Sequence, residues 1–161
     1  MKRELAAVIG VRGESIFELA VTDYSRFARP LFRPSFLGDK WPSVDYYVEL
    51  LGVRDCRPFM FAQVKSTAQQ LSPGSHDIEI SLPKSNCLSL FMVPGPTYLA
   101  GIHEPTRRAF IVSVHRRPNQ GVYRIPLKNE LTPDNLRLLY NEVVEFWKSH
   151  PFKPFTSAFS S

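Results

Sequence analysis

The hydrophobic pattern of this 161-residue chain predicts a mixed α/β layer protein. Three observations point there. Apolar periodicities run in the order helix, strands, helix, strands, helix. Hydrophobic residues make up 43% of the chain, enough for one genuine core at this length. Prolines and glycines fall between the periodic segments rather than inside most of them, as connections require.

Each element has its own local reason. Residues 13 to about 28 read as an amphipathic helix, with Ile16, Ala20, Tyr24 and Phe27 at helical spacing and Pro30 blocking continuation. Residues 29–43 contain Pro30, Pro34, Gly38 and Pro42, and read as a surface loop. Strands are expected near 44–51 and 58–65, joined by a turn containing Gly52 and Pro58. A polar segment over 66–75 leads to a short strand over 77–82. Pro83 then opens a helix. Residues 97–103 and 109–115 look like a strand pair around Glu104-Pro105-Thr106-Arg107. Thr132 is placed as an N-cap with Pro133 at the first helical position, starting a helix to about Lys148. Its apolar face carries Leu136, Leu139, Tyr140, Val143 and Phe146. The organisation expected is a single domain over 1–150 and a loose tail over 151–161.

The formal charge of +5 and pI of about 9.4 favour a polyanionic partner over an acidic-surface role. Cys56 and Cys87 form neither a disulfide framework nor a paired zinc-ligand spacing, which fits a reduced, cytoplasmic setting. Charges at Arg12 and Glu14 come too soon after Met1 for a signal-peptide core. No apolar run approaches the ~18 residues of a membrane span. His76, His103, His115 and His150 show no metal-ligand spacing.

Charge does enter the hydrophobic strands at one place. Phe61-Ala62-Gln63-Val64-Lys65-Ser66 ends an apolar run with Gln63 and Lys65 two apart, hence on one face. Upstream, Val44-Asp45-Tyr46-Tyr47-Val48-Glu49 is a second strand with an acid near its start. An antiparallel hairpin turning near 51–58 sets Asp45 opposite Gln63 or Lys65, with Cβ atoms roughly 4.5–5.5 Å apart. One hard cation such as Mg²⁺ or Mn²⁺ is then within reach of the Asp45 carboxylate, the Gln63 amide oxygen and the Val64 carbonyl. Lys65 is placed to neutralise charge on a phosphate in transition, and Glu14, on the preceding helix, to contact the metal directly or through water. An ordinary polar strand end would also read Gln-x-Lys; Asp45 and Glu14 tip the balance toward a site. Asp39 and Glu49 are the competing acids, the first in a Gly/Pro-rich loop and the second nearer the turn.

At these residues the chain resembles the PD-(D/E)XK nuclease superfamily, in which an Asp on one strand is followed by Glu-x-Lys on the next. It is most similar to the bacterial branch known as domain of unknown function 4365, in Gly13-Glu14, in Val44 to Glu49 and in Phe61 to Thr67. The Leu82-Pro83-Lys84 helix start and the strand from Tyr98 look alike too, so the resemblance covers about residues 10–148. It implies a restriction-endonuclease-like core, with a mixed central sheet flanked by helices. It also implies a metal-dependent endonuclease hydrolysing DNA, suited to bacterial defence against foreign DNA, with Asp45, Gln63, Lys65 and Glu14 catalytic. Val44 stands where the family name has proline. Gln63 replaces the usual Glu, as in Mrr-like enzymes, and removes one negative charge from the metal site.

Further residues fit a nucleic-acid partner. Arg107, Arg108, Arg116 and Arg117 bracket the later strand pair and are suited to phosphate contacts or to solvated strand ends. Tyr47, on the Asp45 face, is the aromatic placed to stack on a base; Tyr46, Phe59 and Phe61 read as core. Gly10-Val11-Arg12-Gly13 matches the GXXG loop of KH domains, but only seven residues precede Val8, too few for the upstream half of that fold. The glycines read instead as the chain's entry into the first helix. With no recognition domain attached, target finding falls to a homodimer or to a protein partner. The alternatives to a DNA endonuclease are an RNase and a non-catalytic module binding nucleic acid or protein.

Overall fold

The computed structural model describes residues 2–38, 41–150 and 156–159. Asp39 and most of the tail expected after 150 lie outside the described residues. The chain is mixed α/β: a five-stranded mixed sheet is flanked by helices and by a second, two-stranded sheet. In chain order the elements are α1 (Lys2–Val21), β1 (Phe32–Phe36), β2 (Tyr46–Leu50), β3 (Phe59–Thr67), β4 (Asp77–Leu82) and α2 (Lys84–Phe91). They continue with β5 (Thr97–His103), β6 (Arg108–Ser113), β7 (Val122–Pro126) and α3 (Pro133–Ser149).

The main sheet has the order β1-β2-β3-β5-β6, and the second pairs β4 with β7. Within the main sheet β3–β5 is the parallel pair, and it needs the long crossover that β4 and α2 provide. Alternation along β3 divides the core. Met60, Ala62 and Val64 join a cluster with Phe17 and Val21 of α1 and Leu136, Leu139 and Val143 of α3. Phe61 joins the opposite cluster with Ile78, Ile80 and Leu82 of β4, Ile125 of β7 and Leu90 of α2.

Several expectations needed correction. α1 starts eleven residues before the expected position 13 and ends at Val21, so Tyr24 and Phe27 follow it rather than extend it. Gly10 and Gly13 are therefore helix-interior residues, and the GXXG stretch forms no loop. Gly13 is required by a close approach: a Cβ there would sit 1.7 Å from Ser66 Oγ. The expected surface loop over 29–43 contains β1, an edge strand, which is where a strand tolerates Pro34. β7 was not anticipated at all. Pro83 is the N-cap of α2 rather than its first residue.

α3 begins as expected. Thr132 Oγ1 accepts the Asn135 N–H, and Pro133 is the first helical residue. Three bonds fasten α3 to the sheet and its turns: Tyr140 Oη to Leu51 O (2.7 Å), Trp147 Nε1 to Phe59 O (2.7 Å), and Tyr98 Oη to Glu142 Oε1 (2.5 Å).

Candidate active site

The β2–β3 ladder pairs Tyr46 with Ala62, Val48 with Met60 and Glu49 with Phe59. Continued by one residue, this register sets Asp45 against Gln63, the first of the two registers expected. The ladder does not continue regularly, and the departure makes the site. Pairs such as Leu50 with Pro58, joined by Leu50 N–H to Pro58 O, recur every second residue, so Val64 N–H would next bond to Val44 O. It donates instead to Asp45 Oδ2 at 2.6 Å. Asp45 N–H meanwhile donates to Ala62 O, and Val44 turns into the cluster opposite that of Tyr46 and Val48. A carboxylate thus stands where a ladder carbonyl belonged. On a strand the N–H and C=O of one residue address the same neighbour, so Val64 O also points to the side where β2 has left the ladder.

This end of β3 opens into a cleft of about 820 Å³. Glu14 from the middle of α1, Asp45 from the entry to β2, and Val64, Lys65 and Ser66 from β3 line one side. Glu79, Ile80 and Ser81 of β4 and Tyr123 and Arg124 of β7 line the other. The structure therefore gathers Glu14, Asp45, Val64 and Lys65, four expected site residues from three separate elements. Lys65 is half-buried and makes no hydrogen bond or ion pair with the described residues. Glu49 does not compete, since it pairs with Arg33 on the edge strand.

Gln63 is 4% exposed and does not line the cleft, but its Oε1 is buried with no hydrogen-bond partner among the described residues. A buried amide oxygen left unpaired costs about 1–3 kcal/mol. An oxygen-seeking cation is one means of satisfying it. The oxygen donors on offer, Asp45 carboxylate, Val64 carbonyl and Gln63 amide, suit Mg²⁺ or Mn²⁺ rather than a thiolate- or imidazole-seeking metal. Among the described residues no three His, Cys, Asp or Glu side chains cluster as a metal site. A cation here would rest on one or two carboxylates, neutral oxygens and water.

The other expected nucleic-acid contacts lie elsewhere. Arg108 grips Glu130 through two bonds, Nε–Oε1 at 2.9 Å and Nη2–Oε2 at 2.6 Å, which hold its pKa above the ordinary value. Arg107 caps the short turn after β5 in a left-handed conformation and is exposed. Arg116 and Arg117 are exposed beyond β6, at the end beside Thr97 and away from His103. Tyr47 packs against Phe59 and Phe61, with ring centroids at 5.2 and 5.9 Å, as a core aromatic. None of these five residues lines the cleft.

The cleft residues that sequence reasoning missed are Glu79, Tyr123 and Arg124. Glu79 and Arg124 are register partners on β4 and β7. The alternating polar–apolar pattern of β4 was visible, but nothing local pairs it with a segment 45 residues away. His103 was also passed over: it is 1% exposed, bonded by Nδ1 to Thr106 Oγ1 (2.6 Å) and by Nε2 to Gln69 O (2.9 Å). Gln69 O is an acceptor, so Nε2 carries the proton. This bond pins the loop after β3, whose Ala68 and Gln69 form part of the cleft rim.

Compared with models of protein families, with curated proteins and with solved structures, the chain matches none significantly. No helix among the described residues is long and apolar enough to cross a membrane, and both cysteines are free thiols.

Proposed function

We propose that this protein is a metal-dependent endonuclease that hydrolyses DNA phosphodiester bonds on a restriction-endonuclease-like core. The observation that carries the reading is the meeting of Glu14, Asp45 and Lys65 in one cleft, with Gln63, next to Val64 on β3, holding a buried amide oxygen that has no hydrogen-bond partner among the described residues. Asp45, Gln63 and the Val64 carbonyl would hold the cation, with Glu14 adding a second carboxylate at the cleft. A divalent cation bound there supplies charge neutralisation at the scissile phosphate and acidifies an attacking water.

The chain's own residues do the rest. The Val64 N–H holds the Asp45 carboxylate at the end of β2 by a charge-assisted bond, so the ligand is in place before substrate arrives. Lys65 has no carboxylate partner among the described residues, and its ammonium group is available to the charge that builds on phosphorus in the transition state. Anchoring on the central strand β3 restricts that group to one wall of the cleft.

Gln63 favours a second reading, a non-catalytic nucleic-acid-binding module, because a neutral amide holds a divalent cation less tightly than a carboxylate. Supercoiled plasmid incubated with Mg²⁺ or Mn²⁺ separates the two. Nicking or linearisation by the wild type, abolished by EDTA and in Lys65→Ala, is the result expected of the endonuclease. Intact plasmid and intact single-stranded DNA under every cation, together with retained DNA binding, leave the binding module. A parallel RNA substrate identifies an RNase.

A further inference from the structure

The β4–β7 lining of the cleft carries a β-bulge. Glu79 pairs with Arg124 and Leu82 pairs with Val122, so Ile80 and Ser81 together stand opposite Tyr123 alone. A bulge of this kind re-aims the side chains of the bulged strand, and Glu79, Ile80 and Ser81 of β4 line the cleft together with Tyr123 and Arg124 of β7. Tyr123 is 56% exposed, and its ring lies close over Gly121, where any Cβ would come within 2.9 Å of Tyr123 Cζ and Oη. Its neighbour Arg124 is exposed beside it. An aromatic face and a guanidinium, lining the same cleft as a lysine, are the two groups that hold an unpaired nucleotide: the ring stacks on the base and the cation meets the backbone.

Size and charge agree. A cleft of about 820 Å³ is in the range that encloses a small ligand. That space suits a nucleotide segment of one strand. Glu14, Asp45 and Glu79 line the cleft together with Lys65 and Arg124, so an entering polyanion meets carboxylates as well as cationic groups. A divalent cation at the proposed site would favour the entry of a polyanion by adding positive charge beside these carboxylates.

We infer that the cleft takes an unpaired nucleotide of a single-stranded polynucleotide, with Tyr123 as the stacking platform and Arg124 as the backbone contact, in a divalent-cation-dependent manner. This assigns the substrate class of the site proposed above and rests on that reading for the position of the scissile phosphate. It departs from the sequence expectation, which placed the stacking ring at Tyr47.

The test is fluorescence anisotropy of a labelled single-stranded DNA oligonucleotide, the matching duplex and the matching single-stranded RNA. Lys65→Ala serves as a common background so that cutting does not intervene, and each titration is run with Mg²⁺ and with EDTA. The expected result is tighter binding of single strands than duplex, with Mg²⁺ required. Tyr123→Ala should weaken single-strand binding about 5- to 150-fold, the value of one stacked base, while Tyr123→Phe, which keeps the ring, should bind as the parent does. The RNA arm reports whether the sugar is discriminated.

Equal affinity of Tyr123→Ala and parent for the single strand overturns the inference, as does a duplex bound more tightly than the single strand. The two proposals fail separately. Cleavage of single-stranded DNA or of plasmid that survives Tyr123→Ala unchanged keeps the endonuclease and removes the stacking site. Tyr123-dependent binding without any cleavage does the reverse.

Discussion

Asp45 Oδ2 accepts the main-chain N–H of Val64 at 2.6 Å, the bond that the carbonyl of Val44 would receive if the β2–β3 ladder ran on. One side chain thereby both closes the ladder and presents a carboxylate to the cleft. These two tasks are separable by mutation. Asp45→Asn keeps an oxygen for Val64 and loses the charge. It should remain within about 1 kcal/mol of wild type in urea unfolding yet lose divalent-cation affinity in calorimetric titration. Asp45→Ala should lose both, at a stability cost of about 1–3 kcal/mol. Equal stability of the two variants would show that the Val64 bond contributes nothing.

Gln63→Glu restores the acid common in the resembled superfamily and tests why an amide stands there. A carboxylate buried without a partner destabilises the cation-free protein, here by about 3–5 kcal/mol. Mn²⁺ should then raise the thermal midpoint of the variant more than that of the wild type, since ligand binding adds to stability by mass action. A variant that is destabilised and indifferent to Mn²⁺ and Mg²⁺ would place the cation away from Gln63.

The approach of α1 to β3 makes opposite predictions for two helix glycines. Gly13→Ala drives a methyl group into Ser66, whose Oγ and Cβ lie 1.7 and 3.0 Å from the new atom. It should cost about 1–3 kcal/mol, with partial rescue by Ser66→Gly. Gly10→Ala meets nothing within 4 Å, and should gain about 0.5–1 kcal/mol from helix propensity. Paired thermal melts check both signs at once.

Two buried tyrosines predict an alkaline limit to stability. Burial first, and the hydrogen bond to Glu18 second, push the Tyr46 hydroxyl far above its ordinary pKa of 10.0. Burial and then the bond to Glu142 do the same to Tyr98. The folded protein holds both phenolic protons more tightly than the unfolded chain. The stabilisation is therefore complete below pH 10 and is lost as pH rises above it. Each tyrosine should contribute a slope of about 1.4 kcal/mol per pH unit, so denaturant midpoints should fall steeply above pH 10 and less steeply in Tyr98→Phe.

Much of the site is written in local sequence. Alternation of Phe61, Gln63 and Lys65 with Ala62 and Val64, and a turn demanded by Gly52, fix which faces meet and bring Asp45 to Gln63 or Lys65. The choice between those two registers was not local. The structure pairs Tyr46 with Ala62 and packs the Tyr46 ring on Phe17 of α1, a contact between distant segments. Thr132 and Pro133 likewise set the start of α3 by themselves, because capping needs only neighbouring atoms.

What the sequence could not decide depended on contacts between distant segments. Gly10 and Gly13 read as helix entry because glycine disfavours helix interiors, and only the Ser66 side chain opposite explains Gly13 inside α1. β1 was hidden by Pro34, which is admissible only on an edge that the sheet order defines. β7 is five residues long, and its meaning comes from β4, 45 residues earlier at the Glu79–Arg124 pair. The amino-acid sequence determined by itself the strand-borne Gln63-Val64-Lys65 pattern with Asp45 upstream of it, since strand periodicity is a property of neighbours. The tertiary structure alone decided what faces it, because the pairing of β4 with β7, and with it the placement of Tyr123 and Arg124, is a contact between residues that no local period relates.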